Sequence, residues 1–377
     1  MKNIFFVLFT FSIFLSAHII KAQNQTLRSY GVSTGILSTG PNNAITDVEG
    51  VLVGHETLIK GDSIRTGATV ILPYAGNMFQ QKVPAAIYVG NGFGKLAGST
   101  QVEELGNLET PIVLTNTLNV ASGINALVQY TLEIPGNENI GSVNALVGET
   151  NDGFLNDIRG QHVKEEHIHS ALKQAKSGPV AQGNVGAGTG TRCFAYKGGI
   201  GSSSRRVSEE SGNYTVGVLV QANFGGVLHI KGLPIEELLK NQTAEPTQKD
   251  TDGSCMIVVA TNAPLDSRNL KRLAKRAMLG LARTGGIASN GSGDYVIAFS
   301  TAEAIRVPYS SEKALLNTSV LSNDHMSPLF LATIEATEEA IYNALFTAET
   351  MQGFHGEVEA LPEQQVLKLI NQHGLLK

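Results

Sequence analysis

Polar and apolar positions fall in short blocks along the chain instead of following one sustained repeat. Apolar runs at 69–72, 85–89, 112–114, 145–147, 216–220 and 256–260 have the length and residue types of strands. Another begins at 51–53, after a stretch punctuated by Gly40-Pro41 and Asn42-Asn43. Helical patterns lie between them, one over 120–130. The clearest covers 266–283: Leu270, Leu273, Ala274, Ala277, Met278 and Leu281 recur at helical spacing, Asp266 or Ser267 supplies the cap, and Gly285-Gly286 the stop. Phe330, Ile334, Ile341 and Leu345 predict a further helix over 328–348, and a last one is expected over 362–372. Strands and helices mix throughout, without an internal repeat of about twenty to fifty residues. The pattern therefore predicts a layered α/β domain rather than a solenoid or propeller.

Two segments break this pattern. At the amino terminus, Lys2 precedes an apolar run at 4–15, and Ala22 precedes polar Gln23-Asn24-Gln25. This arrangement predicts a secretory signal peptide over 1–22, and hence a secreted or periplasmic protein; an uncleaved anchor is the competing reading. The second segment, NQTAEPTQKDTDG at 241–253, is polar and has no large apolar side chain, which predicts an exposed loop. SCMIVVATNAPL follows directly and is strongly strand-like. A polar loop thus feeds an apolar strand through Gly253-Ser254.

That junction has chemical potential. Glycine accepts backbone angles other residues avoid, so a Gly-Ser peptide can be presented to the adjacent serine hydroxyl. Attack of Ser254 on the Gly253 carbonyl would give an ester that water hydrolyses. It would leave a serine hydroxyl as nucleophile and a new α-amine, of pKa roughly 7.7–8.0, as its base. A plain turn before a strand is the alternative, and the dipeptide alone favours it.

Composition narrows the field. The chain has 377 residues, 42% apolar and 16% charged, which describes a compact globular protein. A net charge of -5 provides no broad basic surface for nucleic acid or an anionic membrane, and a small neutral or zwitterionic substrate suits it better. Cys193 and Cys255 are the only cysteines, so no disulfide framework is implied; one bridge or two buried thiols are both compatible.

The longer blocks are more specific. DGSCMIVVATNAPLDSRNLKRLAKRAMLGLARTGG, beginning at Asp252, resembles the start of the β chain in the L-aminopeptidase/D-Ala-esterase/amidase family, which includes β-peptidyl aminopeptidases. GPNNAITDVEGVLVGHET from Gly40, YVGNGFGK from Tyr88, GETNDGFLNDIRG from Gly148, GNVGAGTGTRCFAYKGGIGSSSR from Gly183 and VLVQANFG from Val218 carry the same resemblance, which extends over 31–372. It implies an αββα sandwich of two stacked sheets with a N-terminal-nucleophile-like arrangement. It also implies a precursor that cuts itself into an α chain (23–253) and a β chain (254–377) forming one catalytic domain, and a homotetramer of αβ units. The expected activity is removal of amino-terminal residues from small peptides, amides or esters, without metal or organic cofactor. An acyltransferase of related fold and a non-catalytic, unprocessed binding protein are the alternatives.

By the same resemblance Ser254 is the nucleophile and Asn223 the oxyanion-hole asparagine. Ser292 and Asp294 are the serine and acid beside the nucleophile, with Asp standing where a Glu is expected. The family's tyrosine near GETNDGFLND has no counterpart, since Asn151 and Phe154 occupy that stretch. GAGTGT and GNGFGK lack the Walker spacing and are expected as loops where backbones approach closely. His162, His167 and His169 sit in a polar segment with Glu165 and Glu166, which favours a solvated helix face over a metal site. Cys255, one residue along a strand from Ser254, is expected to point to the opposite face and belong to the core.

Overall fold

Strand pairing gathers the short apolar runs into two sheets in the computed structural model, which describes residues 25–208, 210, 212–240 and 253–376. The expected signal peptide and all of the polar stretch except Gly253 lie outside the described residues. The first sheet holds β1 (Leu52–Lys60), β2 (Ile64–Leu72), β4 (Leu96–Ala97), β6 (Ile112–Asn116) and β7 (Leu146–Thr150), in the order β1-β2-β6-β7-β4. The second holds β3 (Gln81–Gly92), β5 (Asn107–Leu108), β8 (Gly199–Arg206), β9 (Thr215–Asn223), β10 (Ser254–Thr261), β11 (Gly293–Ser300) and β12 (Val307–Pro308). Its order is β8-β9-β10-β11-β3-β12, with β5 pairing with β3.

Parallel neighbours need a crossover, which two helices provide. α1 (Val120–Glu133) joins the parallel pair β6 and β7. α3 (Ser267–Arg283) joins β10 and β11. α2 (Glu165–Gln174) packs beside α1 on the first sheet, and α4 (Ser327–Phe346) beside α3 on the second. The order is helices, sheet, sheet, helices, the expected αββα sandwich.

Three apolar interfaces hold these layers. Ile71, Ile112 and Leu114 of the first sheet meet Ile87, Leu219 and Phe299 of the second. On the second sheet's outer face, Val218, Val220 and Val259 pack against Leu270, Leu273 and Ile341. Val70, Val113 and Val147 pack against Leu127, Ile168 and Leu172 on the other side. β10 belongs to two of these interfaces, with Met256 and Val258 facing the partner sheet and Cys255, Ile257 and Val259 facing the helices. Burial on both faces explains why SCMIVVA reads as one continuous apolar run.

The helices follow the sequence pattern closely. Asp266 caps α3 through a hydrogen bond from the Asn269 N–H at 2.8 Å, worth about 1 kcal/mol. α4 departs from expectation: Phe330 and Ile334 are only partly buried, whereas Leu329, Ala332, Ala336 and Ala340 are fully covered. The helix lies close to the sheet and to α3, so small side chains occupy the tight contacts. At Gly280, where α3 meets α4, a Cβ would stand 2.6 Å from the Ile334 carbonyl oxygen.

Cutting the chain after residue 253 would separate no layer. β3, β5, β8 and β9 precede that point, β10 to β12 follow it, and all share one sheet. Both cysteines are free and buried, and burial raises both thiols well above their ordinary pKa. Cys255 lies in the helix-side core, as expected from strand alternation.

Candidate active site

Ser254 opens β10, where the polar stretch gives way to the strand, and only 6% of it is exposed. Its neighbours come from distant parts of the chain. Asn223, the last residue of β9, lies directly opposite in the antiparallel pair, and Gly293, the first residue of β11, is its partner on the parallel side. Directly opposed residues share a face, with Cβ atoms about 4.5–5.5 Å apart in an antiparallel pair. The Asn223 and Ser254 side chains therefore stand together at one end of the sheet.

Backbone contacts orient both groups. The Asn223 Oδ1 accepts the Arg192 N–H at 2.9 Å. With that oxygen engaged, the carboxamide N–H2 is the end left to act as a donor. On the other flank, the Gly293 N–H approaches Ser254 Oγ at 3.2 Å and the Gly253 carbonyl oxygen at 3.1 Å. A Cβ at position 293 would meet the Phe93 carbonyl at 2.7 Å and Ser254 Oγ at 3.2 Å, so glycine is required for this approach.

Ser292 and Asp294 are both 1% exposed at the start of β11. Asp294 is in register with Cys255, so strand alternation puts its side chain on the face opposite Ser254 Oγ, beneath the first residues of β10. No partner among the described residues meets hydrogen-bond geometry at either Asp294 oxygen or at Ser292 Oγ. Burial raises Asp294 to about 6, and the nearby Ser292 hydroxyl and Cys255 N–H only partly oppose the shift.

Ser254 and Asn223 lie in the wall of a cleft of about 1140 Å³. The loops at the strand ends of both sheets close around it, and three carboxylates (Glu149, Glu357, Glu359) and two cations (Lys95, Arg192) line it. Glu149, the residue before the end of β7, has a side chain 4% exposed. It accepts hydrogen bonds from the Thr117 hydroxyl and, at 3.0 Å, from the Lys95 N–H, with the Lys95 ammonium 3.6 Å away. The GETNDG block by itself does not mark Glu149 as a site residue. Its signal was a carboxylate closing an apolar strand, an expensive placement unless something cationic meets it. Asn151 and Phe154, where the resemblance leads one to expect a tyrosine, also line the cleft, and the Arg192 guanidinium stacks on the Phe154 ring at 4.2 Å.

The remaining motifs lie elsewhere or have other uses. GAGTGT forms a buried turn in which a Cβ on Gly188 would stand 2.3 Å from the Ile200 nitrogen, the close backbone approach expected of it. His167 and His169 lie on α2, and His162 pairs with Asp157 at 3.2 Å. No group of three metal-ligating side chains is found among the described residues.

A layered αββα fold with a serine at the head of a central strand, open to a cleft, is the arrangement of an N-terminal-nucleophile hydrolase. The chain belongs to peptidase family S58, whose model matches residues 43–359, and its activity is that of a serine aminopeptidase. It is 40% identical over 362 residues to the β-peptidyl aminopeptidase BapA of Sphingosinicella microcystinivorans, covering 89% of this chain and 90% of that one. A β-aminopeptidase of Burkholderia sp. has a similar structure, with a TM-score of 0.86 and 41% identity over 93% of this chain and 99% of that one. The L-aminopeptidase/D-Ala-esterase/amidase of Ochrobactrum anthropi, described as a prototype for the serine aminopeptidases and a variant of the Ntn-hydrolase fold, gives 0.85 and 34% over the same shares.

Proposed function

We propose that the chain cuts itself between Gly253 and Ser254, and that the freed Ser254 then removes amino-terminal residues from small peptides, amides or esters. One observation carries this reading. Ser254 Oγ, in the cleft wall, and the carbonyl of the peptide it would cut share a single donor, the Gly293 N–H.

In the first step Ser254 Oγ bonds to the Gly253 carbonyl carbon and the hydroxyl proton leaves. Water in the cleft is the acceptor the proposal assigns to that proton, because Asp294 lies on the opposite face of β10; Asp294, with Ser292 beside it, is assigned to supply negative charge beneath the new α-amine. The C–N bond then breaks, the Ser254 nitrogen takes a proton to become an α-amine, and water hydrolyses the ester to release Gly253 as a carboxylate. In turnover the α-amine takes the Ser254 proton, the substrate acyl group moves to Oγ, and the leaving amine or alcohol is protonated; water then hydrolyses the ester, releasing the amino-terminal residue as its acid and restoring the Ser254 hydroxyl. The Asn223 amide donates to the oxyanion from the cleft side.

Glu149 supports the exopeptidase character. A buried carboxylate at the cleft wall meets the free ammonium of a substrate, while a blocked amino terminus would leave it without that partner. Names of the relatives bring amino-terminal β-amino acids into the substrate class, beside L-α and D-α residues. Export after removal of 1–22 and assembly into homotetramers belong to the same proposal.

Mass spectrometry of the purified protein, beside turnover of aminoacyl p-nitroanilides from those three classes, tests the reading. The expected result is two chains beginning at about Gln23 and at Ser254, with release of p-nitroaniline. Active enzyme as a single uncut chain would overturn it. Light scattering measures the assembly.

A further inference from the structure

We infer that the backbone N–H of Gly293 is the oxyanion donor for self-cleavage, a role separate from that of Asn223. The inference rests on the self-cleavage proposed above. In the continuous chain the Gly253 carbonyl already accepts this N–H at 3.1 Å. It is the regular ladder bond of a parallel pair in which Gly293 faces Ser254. When Ser254 Oγ bonds to the Gly253 carbon, the carbonyl π pair moves onto that oxygen, and a charge-assisted donor is in place without rearrangement.

Asn223 stands on the other flank. The sheet order puts β9 and β11 on opposite sides of β10, and the scissile carbonyl is turned toward β11. Asn223 serves substrates arriving from the cleft. The two acyl transfers at one serine thus use different donors.

Cleavage also changes the state of Gly293. Once Gly253 leaves as a carboxylate, the strand begins at Ser254 and the Gly293 N–H loses its ladder partner. A buried N–H seldom stays unpaired, and Ser254 Oγ, already 3.2 Å away, remains beside it. The same contact that polarises the precursor then holds the nucleophile in the mature enzyme.

The test replaces the N–H alone. Cell-free translation that installs glycolic acid at position 293 exchanges the amide for an ester and adds no side chain, whereas Gly293→Ala would collide with Phe93 and risk misfolding. Processing is followed by gel and mass spectrometry. Cleavage should slow about a hundredfold. The same amide-to-ester exchange at position 297, four residues along β11 and facing the same neighbour, should cut at the wild-type rate. Asn223→Ala should process within about threefold of wild type while its kcat falls about a hundredfold. Wild-type cleavage of the glycolate chain, or processing of Asn223→Ala that slows in parallel with its turnover, would overturn the inference and leave the proposed function standing. An uncut wild-type chain would remove both.

Discussion

Asn223 lends itself to a pair of substitutions that separate chemistry from support. Both Asn223→Asp and Asn223→Ala remove the amide N–H2 proposed as the cleft-side oxyanion donor. Loss of such a donor costs about a hundredfold to a thousandfold in kcat, or about 3 kcal/mol, with KM little changed because the contact strengthens mainly in the transition state. The variants differ at Oδ1, which accepts the Arg192 N–H at 2.9 Å at a residue only 6% exposed. Asp keeps an oxygen there; Ala removes the acceptor of this part-buried hydrogen bond, a loss of about 1 kcal/mol. Both variants should therefore lose at least about a hundredfold in kcat, and both should melt lower, Asn223→Ala through the lost acceptor and Asn223→Asp through the carboxylate it buries. The assay is kcat, corrected by active-site titration, on processed enzyme with an aminoacyl p-nitroanilide, together with thermal melting of the same preparation. Wild-type turnover by Asn223→Asp would refute the donor role, as would an Asn223→Ala enzyme that is destabilised but unimpaired per active site.

Ser254→Ala should migrate as one chain and release no p-nitroaniline; gel and activity on one preparation decide this. Glu149→Gln should raise KM about tenfold or more for substrates with a free amine, by loss of a charge-assisted contact worth roughly 1.5–3 kcal/mol. Its effect should be small on a matched ester lacking the amine, and equal losses on both would refute amine recognition. Asp294 is raised from 3.8 to about 6, so the native chain keeps a proton that the unfolded chain releases between about pH 4 and 6. Its contribution is therefore favourable below about pH 4 and is lost as pH rises through about 6, by up to about 3 kcal/mol at roughly 1.4 kcal/mol per pKa unit. Urea midpoints of Ser254→Ala with and without Asp294→Asn should converge or cross over that window, and parallel pH dependence would contradict the buried, unpaired carboxylate.

What the sequence alone determined was local. Apolar runs and helical spacing located β2, β3, β6, β9 and β10 as well as α1, α3, α4 and α5 (Glu363–Gln372), because strand and helix periods are written in neighbouring residues. The Gly253-Ser254 junction was legible for the same reason, as a change from a polar stretch to an apolar strand at one peptide bond. Resemblance added the family and the residues to watch. Tertiary structure decided which strands are neighbours, and that depends on long-range pairing that no local period encodes. Asn223 and Gly293 meet Ser254 only because β9 and β11 flank β10. The same pairing sets Asp294 in register with Cys255, which turns it, with Ser292 beside it, to the face opposite Ser254 Oγ. Glu149, Arg192 and Phe154 became cleft residues when strand ends of both sheets and the loops beside them closed around one space, which depends on how layers stack rather than on any spacing within a segment.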